Sequence, residues 1–133
     1  MSFKNFFYNK LVRDKTVERC YHEGSKVVWH SLNDADYLKA LKLKLLEEAQ
    51  EVIGTQSKEE LAEELADVLE VVNALCALHA LSLQELQVVQ QKKFEDRGGF
   101  YDRIFIKSVE HPIGSNYEKY CSANPEKYPE IKQ

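Results

Sequence analysis

Glycine, proline and cysteine are all scarce in this chain, and so is any long apolar run. Among 133 residues there are five glycines, three prolines and three cysteines. The prolines, Pro112, Pro125 and Pro129, sit only in the tail from His111, which they mark as an irregular extension with several tyrosines and lysines. Cys20, Cys76 and Cys121 are odd in number and widely spaced, with no Cys-x-x-Cys pair. Neither a zinc site nor a disulfide framework is supported. Cys76, in an apolar helical stretch, reads as a small core residue. No apolar run reaches the roughly 18 residues of a membrane span. The start, Met1-Ser2-Phe3-Lys4-Asn5-Phe6-Phe7, lacks an apolar h-region and a cleavage site. No membrane association is expected, and the cytoplasm is the expected compartment. Positive charge is also in deficit. A net charge of −4 argues against a nucleic acid polymer as partner, though not against a small nucleotide.

What the chain does have is helical punctuation. Hydrophobic content of 44% and charged content of 30% suit one globular domain. Tyr8, Leu11, Val12, Lys15 and Arg19 recur at helical spacing, predicting a first helix or partial helix over 8–23, stopped by Gly24. Residues 26–32, with Val27, Val28 and Trp29, read as a short strand. Asn33-Asp34-Ala35-Asp36 supplies caps for a helix over about 35–54, ended by Gly54. Ser57 with Glu60 opens the longest helix, about 58–80, and Ser82 with Glu85 opens another, about 83–97. Gly98-Gly99 ends the last. Residues 100–109 read as a second strand that could pair with 26–32. The expected fold is mainly α: an antiparallel helical bundle with a small two-stranded β element, over residues 1–109, followed by the extension 110–133.

Two acidic pairs carry the chemistry. At about 100° per residue, Leu41, Leu45, Ala49 and Val52 make an apolar stripe, and Glu48 falls inside it. An unpaired carboxylate in such a stripe is costly to bury. On the next helix Leu61, Leu65, Val68 and Val72 form a stripe, with Glu64 and Asp67 on its edge, in line with Val71 and Leu78. Glu48 with Glu51, and Glu64 with Asp67, are three residues apart and share a face. Acidic helical residues are most often solvated. Two such pairs, on consecutive helices and at matched distance from one short loop, instead point to a shared cation. Hard oxygen donors without histidine suit Mg²⁺ or Mn²⁺ better than zinc. His79, three turns beyond Asp67, reads as structural.

The segments Glu47-Glu48-Ala49-Gln50-Glu51 and Glu64-Leu65-Ala66-Asp67 resemble the EExxE…ExxD motif of the MazG-like all-α nucleoside triphosphate pyrophosphohydrolases, which include phosphoribosyl-ATP pyrophosphohydrolase. Tyr8-Asn9-Lys10-Leu11-Val12-Arg13-Asp14-Lys15 and the stretch from Lys92 to Phe100 resemble a predicted house-cleaning subgroup. The resemblance implies Mg²⁺-dependent cleavage of a nucleoside triphosphate between the α and β phosphates, with Glu48, Glu51, Glu64 and Asp67 as metal ligands. It gives Glu47 a part in orienting water or acting as its base. It also implies dimers or tetramers with sites between helices of different subunits. The wide apolar face of the 58–80 helix agrees with a homodimer or homotetramer. Lys10, Arg13, Lys15, Lys93 and Arg97 are candidate phosphate contacts, and Asn73 a candidate base or ribose contact. Lys92 and Lys93 are equally explained by a helix C-terminus, which attracts cations. Trp29 could stack a base or pack in a core. Two rivals stand beside this reading: phosphoribosyl-ATP as the substrate, and a catalytically silent helical interaction module.

Overall fold

The computed structural model describes residues 2–132, which contain five α-helices. They are α1 (Thr16–His22), α2 (Asp34–Ile53), α3 (Lys58–Leu78), α4 (Leu83–Arg97) and α5 (Asn116–Ala123). The chain divides into two compact units, Met1–Glu95 and Asp96–Gln133. In the first, α2 and α3 form the main packed pair, a helical hairpin across a short loop. No single helix among the described residues is long and apolar enough to cross a membrane.

The punctuation works as the sequence predicts. The Asn33 side chain accepts from the Asp36 N–H at 2.9 Å, opening α2. Ser57 Oγ accepts from the Glu60 N–H at 3.1 Å, and the Glu60 carboxylate accepts from the Gln56 N–H at 2.9 Å. Ser82 and Glu85 exchange the corresponding pair at the start of α4. Gly24, at φ +85°, ends α1: its N–H donates to the Tyr21 carbonyl while the Ser25 N–H donates to Cys20. These are the two bonds of a Schellman end.

Three expectations change. The first helix begins at Thr16 rather than Tyr8, because Asn9 is held at φ +44°, outside any right-handed helix. The two-stranded β element is absent: no strand occurs among the described residues. A ladder needs a facing backbone. Residues 26–32 and 100–109 fall in different units, Val28 is fully exposed, and a turn from Phe100 to Arg103, with Arg103 at φ +59°, interrupts the second segment. Within the tail, Ser115 accepts from the Glu118 N–H at 3.2 Å and opens α5, so the segment read as irregular includes a short helix.

The core is small. Leu41 of α2 and Val71 and Cys76 of α3 are its buried apolar residues, flanked by half-buried Leu45, Val52, Val68, Val72, Leu75 and Leu78. α3 ends without a glycine. The Leu81 N–H donates to the Cys76 carbonyl at 2.9 Å and that of Ala80 to Ala77 at 3.3 Å, again a Schellman pattern, but Ala80 occupies the left-handed position at φ +51°. His79 Nδ1 lies 2.9 Å from the Leu75 carbonyl and caps the same turn, the structural role read from the sequence. A side chain in the left-handed region costs about 1–2 kcal/mol, part of which glycine would return as unfolded-state entropy. Ala80→Gly is therefore expected to stabilise the protein by about 0.5–1 kcal/mol. Urea unfolding would show a raised midpoint at unchanged slope; a lowered midpoint would contradict the assignment of strain to Ala80.

Candidate metal centre

Glu48 is only 8% exposed, on the face of α2 that meets α3. Its position inside the Leu41–Leu45–Val52 stripe puts it there. Glu64 and Asp67 face it from α3, one turn apart and half-buried, on the same line of the helix as buried Val71. One carboxylate oxygen from each of Glu48, Glu64 and Asp67 can be chosen so that all lie within 4.8 Å of one another. Glu51, one turn further along α2, is exposed and outside this tight set, yet its charge is felt at Glu64.

The electrostatics of the cluster are unbalanced. Partial desolvation, and then the charges of Asp67, Glu51 and Glu48, raise the Glu64 carboxyl above its ordinary range. Glu47 is the opposite case. A hydrogen bond from Lys10 first, with a further contribution from Lys44, holds it below the ordinary range despite some opposing desolvation. Lys10 Nζ is 3.1 Å from Glu47 Oε1 and Lys44 Nζ is 3.2 Å from Oε2. Lys44 also lies 3.5 Å from Glu48 Oε1. Arg13 reaches the other side of the cluster, its Nη2 donating to Asp67 Oδ1 at 2.5 Å.

Of the residues singled out in the sequence, the structure thus gathers Glu47, Glu48, Glu64, Asp67, Lys10 and Arg13 at one place, with Glu51 at its edge. Lys15 precedes α1, Asn73 lies on α3 and Lys93 on α4; all are exposed, and none hydrogen-bonds or ion-pairs with these carboxylates. Arg97 belongs to the second unit, where it pairs with Asp96 at 3.6 Å. Lys44 was missed. Its signal was available: it precedes Glu47 by three and Glu48 by four, the spacing of helical ion pairs.

A hard divalent cation fits this donor set. The donors are all oxygens, they converge, and their mutual repulsion is left partly uncompensated by the neighbouring side chains. Glu64 and Glu47 should then respond to pH with opposite sign when no divalent ion is present. A raised folded-state pKa means that Glu64 stabilises least once ionised: its favourable contribution is complete below the unfolded value near 4.5 and is lost as pH rises through the higher folded value. Glu47, with its lowered value, contributes above about 4.5 and loses that contribution as pH falls through its folded pKa. In chelator, Glu64→Gln should raise the melting temperature at pH 7 and Glu47→Gln should lower it, with the Glu64→Gln difference vanishing toward pH 4. Melts between pH 4 and 7 check both signs.

Comparison with known proteins gives one informative match. Residues 37–98 fit the family model described as MazG nucleotide pyrophosphohydrolase domain. No curated protein and no solved structure matches the chain significantly. The matched segment runs from the first turn of α2 to the end of α4 and contains every carboxylate of the cluster. Residues 37–98 are thus similar to the MazG domain, which is all-α, and the match is consistent with the MazG-like superfamily.

Proposed function

We propose that this protein is a Mg²⁺-dependent nucleotide pyrophosphohydrolase that cleaves a nucleoside triphosphate between its α and β phosphates, releasing the monophosphate and pyrophosphate. The observation that carries the reading is the convergence of Glu48, Glu64 and Asp67 within a MazG domain. Those three side chains, with Glu51 completing the set, would hold Mg²⁺ or Mn²⁺. A divalent ion bound there supplies charge neutralisation of the phosphates and lowers the pKa of water. In the reaction a water oxygen bonds to phosphorus, the bridging P–O bond breaks toward the pyrophosphate leaving group, and the water proton is released.

The chain's own residues have distinct parts. Glu47 is kept ionised by Lys10 and Lys44, which also weakens it as a base. Orientation of the attacking water through a hydrogen bond is the role that suits it. Lys10 and Arg13 stand at the cluster and are placed to take phosphate oxygens. Lys15, Asn73, Lys93 and Arg97 are proposed as further substrate contacts on sequence grounds.

Self-association completes the proposal. Leu61, Leu65 and Leu69 make an exposed stripe on α3, and Leu43, Leu46 and Ile53 are exposed on α2, Ile53 at 84%. An apolar surface of this extent beside so small a core marks a protein interface. The chain is proposed to form a homodimer or homotetramer through these faces. Leu65→Glu together with Leu69→Glu should then lower the mass measured by light scattering to that of one chain; an unchanged mass, or a wild type already monomeric at micromolar concentration, would count against it.

Activity is tested by pyrophosphate release over normal and modified nucleoside triphosphates and phosphoribosyl-ATP, with Mg²⁺. Glu48→Gln and Asp67→Asn should each lower kcat/KM by about a hundredfold or more. Release unaffected by both would refute the site. Turnover confined to phosphoribosyl-ATP would move the protein to histidine biosynthesis, and complementation of a histidine auxotroph would check that. A silent interaction module would show no turnover and no rise in melting temperature with Mg²⁺.

A further inference from the structure

The cation nearest the α3 carboxylates comes from a remote part of the chain. Arg13 lies 54 positions before Asp67 and is delivered by the irregular segment that precedes α1. Its backbone is fixed. Leu11 and Val12 beside it are half-buried, and the Arg13 carbonyl accepts from the Thr16 N–H at 3.0 Å in the turn that starts the helix. Its side chain is not fixed in the same way: it is 60% exposed, and Asp67 is its hydrogen-bond partner. Lys44 differs on both points. It belongs to α2 itself, its side chain is 20% exposed, and it divides its charge between Glu47 and Glu48.

Asp67 is one of the three convergent carboxylates, so the guanidinium sits where a bound divalent ion would repel it. At a separation of a few ångströms, a dication and a guanidinium sharing one carboxylate compete for its electrons and repel each other. The guanidinium is the weaker competitor, since it is a diffuse single charge with other acceptors within reach in water. Its planar fork also matches a phosphate in the same two-bond manner as it matches a carboxylate.

We propose that Arg13 is a displaceable counter-ion: it covers Asp67 while the carboxylates hold no divalent ion, is released when one binds, and then takes a phosphate oxygen of the substrate. The inference rests on the metal-centre reading above and adds an order to it, in which metal binding frees the arginine that grips the phosphates. The anion to which it turns is a pyrophosphate moiety, either the product or the corresponding part of a nucleoside triphosphate.

The first test is calorimetric titration of Mn²⁺ alone, without nucleotide, into wild type, Arg13→Gln, Arg13→Lys and Glu64→Gln. Removing the competitor should tighten Mn²⁺ by about three- to tenfold in Arg13→Gln. Arg13→Lys, which keeps the charge, should stay near wild type. The second test is titration of inorganic pyrophosphate at saturating Mg²⁺, where Arg13→Gln should weaken binding by about tenfold or more. The side-chain Nε–H signal of Arg13 should also shift on adding Mg²⁺ before any anion is present. Mn²⁺ affinity unchanged or weakened in Arg13→Gln, while Glu64→Gln loses Mn²⁺, overturns the counter-ion role and leaves the metal centre standing. Tightened Mn²⁺ with undiminished pyrophosphate binding overturns the transfer to phosphate. Mn²⁺ bound equally by Glu64→Gln and wild type would instead sink the metal centre itself. The circular dichroism spectrum and melting curve of each variant establish that it is folded.

Discussion

The constraint on which the rest depends is a carboxylate placed between two helices. Glu48 takes a core position on α2, and α3 answers it with two more acids in place of a cation. Within a helical hairpin this is a costly arrangement, because each ionised group is partly desolvated beside like charges. Burial and neighbouring charge together raise Glu64. The pairing of α2 with α3 is thus compromised for stability at the height of the acids and completed by apolar contacts beyond them, at Leu41, Val71 and Cys76. Local loss of stability of this kind is the common signature of a site that expects a ligand.

The two faces of α3 explain why so much apolar surface stays exposed. The line Glu64, Asp67, Val71 and Leu78 turns toward α2, and its apolar members are buried or half-buried. The line Leu61, Leu65 and Leu69 is offset from it and exposed. One helix therefore carries two apolar seams, only the first of which is filled within the chain. The three convergent carboxylates all come from a single hairpin. Association through the second seam would leave that set intact and would add a neighbour to it.

The boundaries of α2, α3 and α4 and the positions of the acidic residues were legible because both follow from strict local spacing. Asn33, Ser57 and Ser82 cap where they should, and Glu48 is buried as its place in the stripe requires. The inward face of α3 was less legible. Leu61, Leu65, Val68 and Val72 look like one stripe in one dimension, but Leu61 and Leu65 are exposed, while Val68 and Val72 are half-buried beside the line that bears the acids. Periodicity identifies apolar seams without saying which partner fills each. The strand readings failed for a related reason. Val27, Val28 and Trp29, and later Ile104, Phe105 and Ile106, have the residue types of strands, yet β structure exists only where two backbones meet, and composition does not arrange that meeting. Lys10 and Arg13 were found by motif, while their contacts with Glu47 and Asp67 are tertiary and have no local signal at all.

Charge balance around the cluster ties these observations together. Glu47, Glu48, Glu51, Glu64 and Asp67 bring five carboxylates, and Lys10, Arg13 and Lys44 bring three cations. The excess is two negative charges, the complement of one divalent ion. A polyphosphate arriving at such a site adds further negative charge, and the positive charge it needs would come from the ion and from side chains able to leave their carboxylates. Lys44 is held between two glutamates on its own helix. Lys10 and Arg13 come from the segment before α1, their side chains 48% and 60% exposed. The two cations with exposed side chains therefore come from the segment before α1, and the largely covered one is on the helix. On the proposal above, this division would let one set of charges stabilise the free hairpin and then bind the incoming anion.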